Sequence, residues 1–257
     1  MTNAWLIRAL WVAVVLLSLV GVATVVARHA FPDDLVLRFQ PQRIRVLEAL
    51  GRSDPAAVNR LPELERFERR FAEHRTLTRW HIVLGGLFIV LAPLQLAGPV
   101  RRRFPVLHRW AGRFLLVIGS IAAVTGIYFG IFLPIAGIAE SIIIALVGIL
   151  FLVAIMRGFR AIRRRDAARH REWMLRAFGV MVAVPATRVM GAVLDVALAP
   201  TGISSARLFV IDLWVTWALV IGLTEWWIRH TRSAAGVAVV AGRVVATDRR
   251  ARRLTGA

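Results

Sequence analysis

The chain has 257 residues, 58% of them hydrophobic and none of them cysteine, and its mean hydropathy is +0.66. The lack of cysteine excludes disulfides, thiolate nucleophiles, iron–sulfur clusters and Cys-ligated zinc. The formal net charge is +19, carried by 34 arginines and no lysine. With the apolar residues gathered into long runs, that charge points to loops facing anionic lipid and not to a nucleic-acid partner.

A bilayer span needs about 20 largely apolar residues. In lipid the backbone must satisfy its own hydrogen bonds, so each such run must be helical. The first run covers Trp5 to Ala27. Val25-Val26-Ala27 has the small-residue shape of a signal-peptidase site, but an apolar stretch of about 18 residues exceeds a usual signal core. The run therefore reads as an uncleaved first helix, and residues 1–27 as the first unit.

Residues 28–78 form a polar connection with ten arginines and eight acids. Leu61, Leu64, Phe67 and Phe71 recur in it at helical spacing, and Asn59 with Pro62 suits a helix start. This predicts a small extracytoplasmic helical segment whose apolar stripe packs on the bundle or lies in the membrane interface. Residues 79–228 then hold five further spans, near 80–98, 110–133, 136–157, 174–197 and 208–228. Gly98-Pro99, Leu133-Pro134 with Ala136-Gly137, and Pro200 with Gly202 separate them. Residues 229–257 read as a basic, flexible tail.

Loop arginines set the expected orientation. Four lie in 99–109 with no acid, eight in 157–176 with two acids, and seven in 229–257 with one; the short loops at 134–140 and 198–207 share one. The positive-inside rule places the first three in the cytoplasm. The expectation is an all-α, polytopic helical bundle of the bacterial inner membrane, with about six transmembrane helices and both termini cytoplasmic.

Two stretches at the cytoplasmic side stand out: Leu107-His108-Arg109-Trp110-Ala111-Gly112-Arg113 and His170-Arg171-Glu172-Trp173-Met174-Leu175-Arg176. Both join a His-Arg pair to a nearby Trp and a later Arg, as an internal repeat of helix pairs does. Each is read as a helix N-terminus with open N–H groups. Together with the surrounding arginines they suggest an anion site for a lipid phosphate, haem propionates, a nucleotide or an acidic substrate. Plain anchoring to anionic headgroups is the blander alternative. At the outer side, His81 and Gly85 repeat the spacing of His108 and Gly112, leaving one helix face open to a close neighbour.

Charges inside a membrane are costly and must be paired within the bundle. Arg188 lies deep in the fifth span. Its expected partner is Asp195 or Glu140, with Asp212 and His81 at other outer helix ends. Glu225 is expected to neutralise an arginine near His108 or His170, and Gln95 lies at similar depth. An interior salt bridge that fixes packing and a substrate or proton pathway both remain open readings of this set. The sequence has no Walker loop, HExxH, GxSxG, paired catalytic carboxylates or Gly-rich dinucleotide fingerprint.

Trp80-His81, Gln95, Arg101, His108-Arg109 with Gly112-Arg113, His170-Arg171 with Trp173-Met174 and Arg176, Arg188 and Glu225 together resemble a bacterial membrane-protein family, domain of unknown function 2306. The resemblance covers roughly residues 75–230, implies a membrane bundle and carries no established activity. His108-Arg109-Trp110-Ala111-Gly112 is also similar to helix starts in transmembrane b-type cytochromes. That likeness implies one haem b, with His108 and His170 as iron ligands and Arg109, Arg113 or Arg171 on its propionates. The expected roles are thus an accessory subunit of a larger membrane complex, a haem-binding electron-transfer protein, or a transporter of a small anionic or lipidic solute.

Overall fold

The computed structural model describes the backbone of residues 4–31, 34–55 and 57–255, and their side chains except at 4, 57–60 and 233–255. The described residues form ten α-helices and one 3-10 turn. Six segments are long and apolar enough to cross a membrane: Trp5–Ala30, Arg75–Leu96, Pro105–Phe132, Ile138–Arg163, Ala167–Thr201 and Ser205–Arg232. They lie in α1 (Ala4–Ala30), α5 (Arg75–Leu96), α7 (Pro105–Phe132), α8 (Ile138–Arg163), α9 (Ala167–Leu198) and α10 (Ser205–Thr255). The chain is a membrane-spanning helical bundle.

Most of these helices outrun the apolar spans read from the sequence, chiefly at the arginine-dense end. Hydrocarbon thickness limits the apolar run, whereas arginine is itself a good helix former and lets the helix continue into the polar zone. α10 continues through Thr255, where the sequence reading ended the span at 228 and expected a flexible tail. The tail side chains from 233 onward lie outside the described residues.

α5, α7, α8 and α9 pack in sequence around the core, with α10 against α8 and α9. Phe88 of α5 meets Phe151 of α8 edge to face, 5.6 Å between centroids. Ala154 and Ala183 are fully buried between helices. The Trp217 indole N–H of α10 donates to the Val180 carbonyl of α9 at 3.3 Å. α5 and α9 meet only weakly, and α1 packs across both. Glycine permits that approach: a Cβ on Gly86 would stand 2.9 Å from Val25 Cγ2 of α1. The closely packed glycine is thus Gly86, whereas Gly85, singled out in the sequence with His81, has nothing within 4 Å of its Cβ position. The rest of α1 presents exposed apolar residues, including Trp5, Val12, Leu16 and Leu19, as a lipid-facing helix does.

Short α6 (Gly98–Arg103) joins α5 to α7. Between α1 and α5 lie α2 (Leu35–Arg38), α3 (Gln40–Ala49) and α4 (Ala57–Glu73). They cap the end of the bundle opposite the arginine-dense one. α4 starts at Ala57, so Pro62 falls inside it and is not its first turn; the Asn59 side chain lies outside the described residues. Phe67 packs near Phe209 of α10 at 6.4 Å, and Phe71 near Phe129 of α7 at 5.8 Å, while Leu61 stays exposed. Polar links fasten this cap. Glu68, 2% exposed, takes the Arg28 guanidinium of α1 and the Val36 N–H at 2.7 Å. Glu63 accepts the Ser205 N–H at 2.9 Å. Arg52 donates to the Val196 and Ala197 carbonyls at 2.7 and 3.0 Å. Arg43 pairs with Asp195.

Candidate functional site

At the arginine-dense end, α8, α9 and α10 enclose a cleft of about 790 Å³. It is lined by Arg157, Arg160 and Arg164 of α8, Trp173 and Arg176 of α9, and Glu225 and Arg232 of α10, among others. Arg157, Arg160 and Arg164 are spaced three and four apart, which places them along one helix face. Three further arginines here are neutralised. Arg176 pairs with Glu225 at 2.5 and 3.0 Å, Arg232 with Glu172, and Arg169 with the N-cap Asp166 at 3.4 Å. Arg157, Arg160 and Arg164 have no carboxylate partner among the described residues. The Trp173 ring lies between two of the cations, 5.0 Å from the Arg157 guanidinium and 4.6 Å from that of Arg176. The cleft is therefore a net-positive recess with one rigid aromatic wall.

The sequence reading takes Arg157, Arg160 and Arg164 as loop charge and names no site on them. Their one-face spacing was the available signal. Of the residues it does name, Glu172, Trp173, Arg176 and Glu225 line the cleft. Arg109 and Arg113 are exposed on α7, and the Arg113 guanidinium lies 4.9 Å from its neighbour Trp110.

The two histidines occupy the same end but not the cleft lining. Their helices begin three residues before them, at Pro105 and Ala167. Their backbone N–H groups are already bonded, His108 to Phe104 O and His170 to Asp166 O, both at 3.0 Å. The Asp166 carboxylate also takes the Arg169 N–H at 3.0 Å. Each helix thus starts one turn before its histidine, and the His-Arg pairs themselves offer side chains and not open N–H groups. His170 Nδ1 lies 2.9 Å from the Gly158 carbonyl of α8. A carbonyl only accepts, so Nδ1 carries the proton and Nε2 keeps its lone pair in the neutral ring. His108 Nδ1 is buried with no hydrogen-bond partner. His108 stands within electrostatic reach of Arg101 and His170, and Arg171 within reach of Arg101 while donating to Thr231 Oγ1 at 3.3 Å. Gln95 Oε1 faces Gly112, one turn along from His108, 3.6 Å from its Cβ position. No cluster of three or more metal-ligating side chains occurs among the described residues.

At the opposite end the expected pairs of Arg188 are replaced by others. Asp195 belongs to Arg43, which donates to it at 3.1 Å and to Asp54 at 2.6 Å. Glu140, 3% exposed, accepts the Ile135 and Ala136 N–H groups at 2.7 and 2.6 Å. The physical reason is local: a carboxylate one turn from a tight bend meets open backbone donors, and the cap supplies Arg43 at the α9 terminus. Asp212 is the carboxylate within electrostatic reach of Arg188, and it accepts from Thr216 Oγ1 at 2.8 Å. His81 Nδ1 lies 2.8 Å from Thr125 Oγ1, with its ring edge-on to Phe129.

Six apolar helices around one core, with polar links at both ends, define a multi-pass integral membrane protein. Among such proteins, the chain belongs to the family described as predicted membrane protein, DUF2306, whose sequence profile matches residues 78–228. The match starts within α5, so α1 and the cap lie outside it. No curated protein and no solved structure matches the chain.

Proposed function

We propose that the protein is an anion-binding membrane protein whose working site is the arginine cleft. Three arginines without a carboxylate, in a recess already holding three neutralised ones, support that reading. An arginine fork matches the oxygens of phosphate or carboxylate, and Trp173 offers an apolar wall to whatever carries them. The positive-inside rule puts this end in the cytoplasm of a bacterial inner membrane, where the ligand is an anionic lipid headgroup or a soluble phosphorylated or carboxylated solute. Thermal unfolding in detergent tests it. Saturating phosphatidylglycerol or inorganic phosphate should raise the midpoint by roughly 5 °C, the scale of a ligand well above its Kd. The double variant Arg160→Glu/Arg164→Glu should lose that rise; an undiminished rise in a folded variant would count against the cleft.

A second reading rests on the histidines. His170 keeps a free Nε2 because Nδ1 is fixed to Gly158, the arrangement common in metal-bound imidazoles, and His108 has a buried nitrogen without a partner. One haem b between them, with Arg101 or Arg171 near its propionates, is the cofactor this suits. The absorption spectrum of protein expressed with haem decides it, since a preparation lacking a Soret band sinks the idea. An accessory role in a larger complex draws on the exposed apolar face of α1. Lipid covers that face equally well, so recovery of a stoichiometric partner in mild detergent is the deciding measurement.

A further inference from the structure

Arg188 lies on α9 seven residues before Asp195, about 10 Å deeper than the layer where the cap is fastened. A guanidinium stays charged at any depth. Among the described residues Arg188 has no hydrogen bond and no ion pair, and Asp212 and Arg28 act on it only through space. Arg28 is engaged by Glu68. Asp212, 4% exposed, is turned to Thr216 and to the backbone at Gly191, 3.1 Å from the Cβ position there.

The walls around Arg188 are defined. α1 meets α9 where the Cβ position of Gly21 lies 3.5 Å from Pro185 Cβ. α10 borders its other side through Asp212 and Trp217. Between these borders, Val184, Arg188 and Ala192 form an exposed stripe one helical turn apart. Arg188 keeps accessible surface and sits on α9 between the α1 border at Pro185 and the α10 border at Gly191, three residues to either side. The cap closes the end of α9 through Arg43 on Asp195 and Arg52 on the Val196 and Ala197 carbonyls. What remains open is the side, along Val184, which in a bilayer is hydrocarbon.

We propose that Arg188 is the headgroup site for a single-chain anionic amphiphile, a fatty-acid-like carboxylate, whose tail lies along the stripe between α1 and α10. A carboxylate matches one guanidinium in a two-point fork. The nearby Asp212 sets the limit of one negative charge, because a dianion there meets like-charge repulsion. Sideways access selects a molecule already dissolved in lipid over a free solute. This site is separate from the arginine cleft and stands or falls without it.

Equilibrium binding of radiolabelled oleate to the full-length protein in nanodiscs tests the assignment. Saturable binding near one oleate per chain is expected, weakened about tenfold in Arg188→Gln and partly recovered in Arg188→Lys, the change one lost charge-assisted contact gives. Asp212→Asn, which removes the competing carboxylate, should tighten binding several-fold. Acetate in large excess should not displace oleate. The proposal is overturned if folded Arg188→Gln binds oleate like the parent, or if acetate competes equally, which would make the ligand a soluble anion. Should Arg188→Gln not fold, an unchanged or weakened affinity in Asp212→Asn overturns it alone. Binding lost only in Arg160→Glu/Arg164→Glu would move oleate to the cleft and also overturn it.

Discussion

Arg43 holds Asp195 across 152 residues of sequence and Asp54 within its own segment, both on one guanidinium. Burial works against its charge, but the bonds and charges of Asp195 and Asp54 outweigh that and raise its pKa above the ordinary arginine value. A cation with a raised folded-state pKa contributes fully below the unfolded value and loses the contribution only above it. Arg43 itself therefore adds no pH dependence in the physiological range. Arg43→Gln leaves two carboxylates facing each other. The expected loss is about 2 kcal/mol, between exposed and buried pairs. Hydrogen exchange over Gln40–Ala49 should rise in the variant; exchange equal to the parent would show that the link does not hold the cap.

The Arg176–Glu225 pair neutralises one wall of the arginine cleft. Glu225→Gln frees that guanidinium to meet a ligand. Phosphate affinity should rise severalfold, while stability falls by up to about 1 kcal/mol, as for a partly exposed pair. A titration of phosphate against unfolding midpoint reads both quantities. Weaker phosphate binding in this variant would place the ligand elsewhere.

Two glycines give opposite expectations. A Cβ on Gly130 of α7 would lie 2.6 Å from Ile144 Cγ2 and 2.7 Å from its Cβ on α8. A β-branched side chain held that near its backbone has little room to turn aside. Gly130→Ala should force α7 and α8 apart and cost roughly 1–3 kcal/mol. Gly85→Ala meets open space and should be neutral or slightly stabilising. Detergent unfolding of the two variants distinguishes them, and equal behaviour would contradict the α7–α8 packing.

The structure puts Arg101–Arg103, the α8–α9 turn and the Arg232 region of α10 at one end of the bundle. Reporter fusions after Arg103, Arg164 and Arg232 should therefore all report the same side of the membrane. The positive-inside rule predicts the cytoplasm for that side, and a reporter signal from the opposite face would overturn the assignment.

The membrane bundle was legible because hydrocarbon imposes a minimum apolar run and forbids open backbone, so six spans follow from counting. The apolar stripe Leu61, Leu64, Phe67 and Phe71 announced α4, and Phe67 and Phe71 do pack on the bundle. Pairing was far less legible. A shared helix face matches Arg188 with Asp195, but Asp195 is claimed by Arg43 of α3, a short cap helix whose position against α9 no local pattern encodes. The helix starts expected at His108 and His170 lie three residues later than the observed ones, because charge reads as loop while arginine continues a helix readily. Each helix continues upstream of its histidine, to Pro105 in one and to the Asp166 cap in the other. His81 was joined to Gly85 by spacing alone, while adjacent Gly86 is the one that faces α1, a one-residue difference that rotates the face by about 100°.

The cap has a consequence for how the protein is made. Its anchors on Asp195, on the carbonyls of Val196 and Ala197, and on the Ser205 N–H all belong to the last third of the chain. During synthesis the segment before residue 78 emerges long before those partners exist. It must wait, with Arg43 and Glu63 still in water, until the final two helices insert. A ribosome stalled before α9 would thus leave an early segment open to protease that completion of the chain shuts away.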